Sequence, residues 1–265
     1  MKETVYRLDT PVSIALLTDT HNRRPEPILQ SLRRHKPEMI AIAGDIVIGR
    51  PPERGLLLEQ NENALPLLRA CASIAPTFFS LGNHEGQVCE KDLALIRSTG
   101  VTLLDNSWCA WNGISVGGMT SPKVLFCRRY KAAIRADEPY PRLGDRRVFE
   151  DPALLPIWTD RKVPVTAWLS AWEKQPGWKL LLAHEPHLWE PYLRGRNIDL
   201  ILSGHAHGGQ WRFFGRGVWA PDQGLFPNYT SGLHENLIIS RGLTNTAAPI
   251  PRLFNPTEIV YIAKA

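Results

Sequence analysis

Short apolar runs recur along the chain, each stopped by glycine or a polar residue, and segments of helical spacing lie between them. "VSIALLT" at 12–18 is continuously apolar rather than alternating, which predicts a strand buried on both faces. "PEPILQSLRRHK" then puts Ile28, Leu29 and Leu32 on one helical face behind Pro25. "EMIAIAGDIVI" reads as a second buried strand, and "ENALPLLRACAS" as a helix whose start is blurred by Pro66. "PTFFSLGNHE" is a third strand breaking at Gly82, followed by a helix in "KDLALIRSTG" that Gly100 stops. Shorter strands are expected at 101–104 and 114–118, and a helix near 165–174 with Trp168 and Trp172 on one face. "WKLLLAHEP", "NIDLILSG", "NLIISRG" and "TEIVYIA" complete the strands. This alternation predicts an α/β fold, a parallel or mixed sheet covered by helices. No repeat or linker divides the chain, so residues 1–265 are expected to form a single domain. Residues 121–163, with prolines at 122, 139, 141, 152 and 156, are expected to be an irregular excursion from it.

Five of these strands end in residue types that bind metals: "TDTH" (Asp19, His21), "GD" (Asp45), "GNHE" (Asn83, His84), "AHEP" (His184) and "GHAH" (His205, His207). Carboxyl ends of strands share one edge of an open sheet, where ligands bind, so the five segments should converge. Setting His84 aside, the donors are two carboxylates, one amide oxygen and four imidazoles. Without sulfur, that mixture suits Mn, Fe or Zn better than Ca or Mg alone. Seven donors exceed the shell of one ion but fit two ions sharing a carboxylate. Such a pair clamps an in-line displacement at phosphorus and generates hydroxide near neutral pH.

In these residues the sequence resembles the calcineurin-like metallophosphoesterase superfamily, whose pattern D-x-H, G-D, G-N-H-[DE], H, G-H-x-H it matches in order from Asp19 to His207. The resemblance implies a sandwich of two mixed β-sheets flanked by helices (α/β/β/α). It also implies that Asp19, His21, Asp45 and His207 hold one metal while Asp45, Asn83, His184 and His205 hold the other, with Asp45 bridging. His84 matches the family's non-ligand histidine, which polarises a phosphoryl oxygen or protonates the leaving group. The implied reaction is hydrolysis of a phosphodiester or pyrophosphate by in-line attack of a metal-bound hydroxide. The tail, "GHAHGGQ", "ISRGL" and "PRLFNPTEIVYI", looks like the bacterial branch containing membrane-associated phosphohydrolases and relatives of UDP-diacylglucosamine pyrophosphatases. Protein phosphatases of the superfamily carry a later aspartate in the second motif; "GDIVIGR" has Ile48 there, which argues against protein serine/threonine phosphatase activity.

Composition refines this picture in four ways. Hydrophobic residues make up 43% of the 265 positions, enough for a sizeable core. Cys71, Cys89, Cys109 and Cys127 are widely spaced with no C-x-x-C pair, which predicts free thiols, a reducing compartment and a cytoplasmic protein. No stretch reaches the 18 or so apolar residues of a membrane span. The net charge of +5 is concentrated between Lys123 and Arg147. There Arg128, Arg129, Arg146 and Arg147 are expected, with Phe126, Tyr130 and Tyr140, to recognise the part of a small phosphorylated substrate beyond the scissile phosphorus, either lipid- or nucleotide-linked. The alternatives are a nuclease that uses this basic segment on a nucleic-acid backbone, and a non-catalytic metal-binding scaffold. His35 is expected to interact with its helix C-terminus, and His187 and His234 to lie in loops without a chemical role.

Overall fold

The computed structural model describes residues 1–49, 55–133, 150–244 and 251–265. Two six-stranded sheets pack face to face. The first runs β1 (Lys2–Leu8), β16 (Glu258–Lys264), β2 (Ile14–Leu17), β3 (Met39–Ala43), β4 (Thr77–Ser80), β5 (Thr102–Leu104), parallel throughout except between β16 and β2. The second runs β14 (Gly232–His234), β15 (Leu237–Ile239), β9 (Leu200–Ser203), β8 (Trp178–Ala183), β7 (Ile114–Met119), β6 (Ser107–Trp111), parallel at its centre and antiparallel at both edges.

Continuous apolar runs follow directly from this layering. On β2 to β4, Ile14, Leu16, Met39, Ala41 and Phe78 face the second sheet, while Ala15, Leu17, Ile40, Ile42 and Phe79 face the helices. Both faces are dry, so no polar position alternates. Helices Glu26–His35, Ala64–Ile74 and Glu90–Arg97 cover the outer side of the first sheet through Ile28, Leu32, Leu67, Leu68, Leu93 and Ile96. Pro66 is accommodated because it is the third residue of its helix, where the missing N–H has no intrahelical acceptor. The second sheet is covered by Leu169, Trp172, Leu188 and Trp189, and the Trp172 indole N–H donates to Ser115 Oγ at 2.8 Å. The result is the expected α/β/β/α sandwich.

Three segments differ from the sequence expectation. The segment expected to be irregular contains helices at Pro122–Ala133 and Leu154–Thr159, which pack through Phe126, Tyr130, Leu154 and Trp158. Its prolines hid them, yet Pro122 and Pro156 occupy first turns, where proline is tolerated. Arg142, Arg146, Arg147 and Tyr140 lie outside the described residues. The helix expected at 165–174 is a single turn, Leu169–Trp172. Strands β1 and β6 had no continuous apolar run to announce them, because they are edge strands with half-exposed alternation. His35 pairs with Glu3 of β1 at 3.0 Å and stacks on Tyr261, tying its helix to the sheet edge instead of capping itself.

The sheets come close at Gly118, where a Cβ would overlap the Leu104 side chain and meet its carbonyl oxygen at 2.7 Å. We expect Gly118→Val to destabilise the protein by about 1–3 kcal/mol, the range for overpacking a close-packed interior. A chemical-denaturation midpoint equal to wild type would show that the sheets can part freely.

Candidate metal centre

The parallel centres of the two sheets end at a common edge, and all five sequence motifs lie there. Asp19 and His21 follow β2, Asp45 follows β3, Asn83 and His84 follow β4, His184 follows β8, and His205 and His207 follow β9. Backbone hydrogen bonds zip the loops together: Asp19 N–H to Gly44 O (3.2 Å), His21 N–H to Asp45 O (3.0 Å) and Gly204 N–H to His184 O (3.0 Å). The turns are severe. Asp19, His21, Asp45, His205 and His207 all have positive φ, a conformation that aspartate and histidine tolerate better than most residues. Gly204 is required by closeness instead, since a Cβ there would run into Thr18 Oγ1 and the Asp19 carboxylate.

Asp19 and Asp45 are buried side by side. His207 Nε2 lies 3.4 Å and His21 Nε2 3.8 Å from Asp19 Oδ1. Around Asp45 Oδ2 stand His184 Nε2 at 3.1 Å, His21 Nε2 at 3.7 Å and His84 Nε2 at 3.9 Å. Asn83 Oδ1 is 3.1 Å from His184 Nε2 and 2.8 Å from His205 Nδ1. Asp19, His21 and His207 thus form one metal-sized group, and Asp45, His184 and His205 another. Burial drives the His207 ring down to about 3, so it is neutral and available as a donor.

Backbone partners set the tautomers of three of these rings. The outer nitrogens of His21 and His184 face carbonyls, Val47 O at 3.0 Å and Ala43 O at 2.7 Å. They must donate there, which turns each Nε2 lone pair into the site. His21 Nε2 is buried and has no hydrogen-bond partner among the described residues. An unpaired acceptor beside two buried carboxylates fits a cation and fits little else. His84 is reversed: its Nδ1 accepts the Gly49 N–H at 3.1 Å, so the ring nitrogen that carries hydrogen, Nε2, points inward. It is also more open, with 28% of its side chain exposed, as a group that meets substrate must be.

Sequence reasoning missed two carboxylates that hold this arrangement in place. Glu85, buried, accepts N–H groups from Asp45 (2.9 Å), Ile46 (2.8 Å) and Gly82 (2.7 Å), clamping the loops after β3 and β4. Burial and the neighbouring Asp45 push its carboxyl up to about 7. Its signal was the last letter of "GNHE". Asp222 Oδ2 lies 3.1 Å from His205 Nε2 and turns the His205 Nδ1 toward Asn83; the His205 hydrogen bond holds Asp222 well below the usual carboxylate range. Only the fold could reveal it, since it comes from a turn after β12 (Trp219–Ala220). His187, expected to be inert, is half-buried 6.1 Å from the His205 ring and lines a cavity of about 360 Å³ opening beside Asn83 and Asp222. His234 faces Ser231 O, away from the ligand groups.

Of the four arginines expected to meet substrate, the two described ones are not among the residues of this cavity wall. Arg128 pairs with Asp105 at 2.8 Å and Arg129 with Asp160 at 3.4 Å. Lys123, Arg161 and Lys162 line the cavity in their place, with Lys123 Nζ 4.8 Å from the Phe126 ring centre and Arg161 4.4 Å from that of Trp158.

Clustered imidazole and carboxylate donors on the carboxyl edge of an α/β/β/α sandwich have the layout of a metal-dependent hydrolase. Residues 12–209 match the calcineurin-like phosphoesterase family, and the chain belongs to it. It is therefore a metal-dependent phosphoesterase. It is 25% identical over 248 residues to the uncharacterized protein YpbG of Bacillus subtilis (strain 168), covering 91% of this chain and 76% of that one. An uncharacterized metallophosphoesterase of Aquifex aeolicus (strain VF5) is 26% identical over 265 residues, 96% of this chain and 85% of its own. Another, from Helicobacter pylori (strain 26695), is 25% identical over 99% of this chain, which spans 63% of its length. Among solved structures, a dimetal phosphatase from Danio rerio aligns over 88% of each chain with 13% identity and a TM-score of 0.49.

Removing the Glu85 carboxylate strands several buried N–H donors at once. We expect Glu85→Ala to cost about 3 kcal/mol or more in stability, against about 1 kcal/mol for an ordinary hydrogen bond. Thermal melts of the metal-free protein check this, and a change within the range of a surface substitution would mean that the loops after β3 and β4 hold without the clamp.

Proposed function

We propose that residues 1–265 act as one dinuclear phosphoesterase domain that cleaves a phosphodiester or pyrophosphate bond. The observation that carries this reading is the opposed tautomers: His21 and His184 turn lone pairs inward while His84 turns a proton inward. In this assignment Asp19, His21, Asp45 and His207 hold one ion and Asp45, Asn83, His184 and His205 the second. Mn, Fe or Zn suits these donors. The bound ions supply Lewis acidity toward the phosphoryl group and activation of water for in-line displacement. His84 Nε2–H donates to a phosphoryl oxygen or to the departing oxygen. Lys123, Arg161 and Lys162 receive a further negative charge of the substrate, and Phe126 and Trp158 cover an apolar or planar portion.

A second charge beyond the scissile phosphorus favours a diester or anhydride with a sizeable leaving group over inorganic or simple monoesters. The "GHAHGGQ" and "PRLFNPTEIVYI" segments support placing the chain in the bacterial branch with lipid- and nucleotide-linked substrates. Four free thiols support a cytoplasmic location. Among the described residues no helix is long and apolar enough to cross a membrane.

The two ions should differ in how firmly they are held. His207 Nδ1 faces the Arg252 guanidinium at 3.2 Å, so ligation through Nε2 sets a ring proton against that cation. Under graded chelation, metal analysis should show the ion of Asp19, His21 and His207 leaving first, and His21→Ala should bind one ion per chain where wild type binds two. Simultaneous loss of both ions would contradict the division of ligands. His84→Ala should keep its metals and lose roughly 10²- to 10⁴-fold in turnover, with the smallest loss on a nitrophenyl ester, whose leaving group needs no proton. Metal loss in that variant would place His84 among the ligands.

A further inference from the structure

The segment after the last histidine motif folds into two short hairpins, β10 (Arg212–Phe213) with β11 (Arg216–Gly217), and β12 with β13 (Gly224–Leu225). They carry an unusual distribution of phenylalanine. Phe78, Phe79 and Phe126 are buried, whereas the other described phenylalanines, Phe213, Phe214, Phe226 and Phe254, are exposed and lie in or beside these hairpins. Phe214 is fully exposed, Phe226 is 78% and Phe254 72% exposed. Their backbone is the second anomaly. Phe214, Phe226 and Phe254 have φ of 48°, 51° and 53°, and every other non-glycine residue with positive φ among the described residues is polar. A bulky apolar side chain is disfavoured in the left-handed region, where glycine or asparagine is the low-energy choice. Three turns therefore accept strain where a ring is displayed to water, and of these rings Phe254 alone has a ring partner, Phe213, among the described residues.

These turns are one connected structure. Phe226 N–H donates to Val218 O (2.8 Å), Val218 N–H donates to Trp211 O (2.9 Å), Trp211 bridges to Leu253, and the Phe213 and Phe254 rings meet edge to face at 5.7 Å. The surrounding charge is basic: over 211–226 Arg212 and the exposed Arg216 stand against Asp222 alone, which is engaged by His205 and Lys162, while Arg252 turns inward to His207.

We infer that this edge docks on an anionic lipid bilayer, with Phe214, Phe226 and Phe254 inserted among the headgroups. Separate convex turn tips suit a fluid phase that closes around each ring, whereas a protein partner would require a continuous complementary face. Aromatic rings flanked by arginine match the depth profile and charge of such an interface. The edge is also bonded to the candidate centre, because Val218 N–H donates to Gly209 O at 3.0 Å and the hairpin turn supplies Asp222 to His205. Docking would hold the centre beside the headgroup layer. This inference needs the surface alone and does not depend on which phosphoryl bond is cleaved.

The test is flotation of the full chain with vesicles of phosphatidylcholine, with and without phosphatidylglycerol. Wild type should float with the anionic vesicles and be partly released by salt. The triple variant Phe214→Asn/Phe226→Asn/Phe254→Asn should partition at least about tenfold more weakly, melt no lower than wild type because asparagine accepts the left-handed backbone, and hydrolyse a soluble nitrophenyl ester at the wild-type rate. Wild type that stays out of the floating fraction, or a triple variant that floats equally, overturns the proposal. So does a wild-type oligomer that the triple variant dissolves while vesicles bind neither, since the rings would then serve a second copy. Should the triple variant melt lower, Phe214→Glu at the fully exposed tip decides alone, and retained vesicle binding in it counts against docking.

Discussion

Two buried aspartates placed side by side dominate this molecule. Asp19 and Asp45 sit where two parallel strand bundles from different sheets end, and among the described residues their charges are met by imidazoles, a few N–H groups and the Thr18 hydroxyl. An arrangement of that kind is costly to assemble and easily relaxed, so the rest of the fold is organised to prevent relaxation. Tight turns at positive φ aim the side chains inward. The glycines at 44, 82 and 204 let neighbouring loops come within contact distance, and the backbone carbonyls of Ala43 and Val47 orient the His184 and His21 rings. The His184 ring, from the second sheet, reaches Ala43 of the first, so the sheets are joined at the site as well as through their apolar faces.

Support for these groups comes from a second layer of carboxylates that differ in reach. Glu85 acts locally, locking the loops after β3 and β4 to each other. Asp222 acts from a distance in sequence, linking His205 on one side to Lys162 on the other at 2.7 Å. Lys162 also lines the cavity, so a substrate that engages this lysine would touch, through one aspartate, the orientation of a proposed metal ligand. The order of influence runs from cavity to Asp222 to His205, and it gives the cavity wall a physical connection to the chemistry.

What could be read in the sequence was whatever leaves a local trace. Buried parallel strands write continuous apolar runs, so β2, β3, β4, β8 and β9 were visible, and with them the strand ends carrying Asp19, Asp45, Asn83, His184 and His205. Strand β1 alternates half-exposed residues and leaves no such run. The helices Pro122–Ala133 and Leu154–Thr159 were masked by prolines in positions where proline is harmless. Asp222 and His187 belong to the site through tertiary contact alone, and nothing in their immediate neighbours distinguishes them from loop residues. The basic composition around Arg128 and Arg129 was legible where the direction of their side chains was not: Arg128 turns to Asp105 and Arg129 to Asp160.

The central proposal is that Asp45 would belong to both ions at once. Electron paramagnetic resonance of the protein fully loaded with Mn(II) tests it most directly, because a shared carboxylate brings the two ions close enough to couple magnetically. The account predicts the spectrum of a spin-coupled pair in wild type, and loss of that coupling in Asp45→Asn. A fully loaded wild-type protein giving only the spectrum of isolated Mn(II) would contradict it.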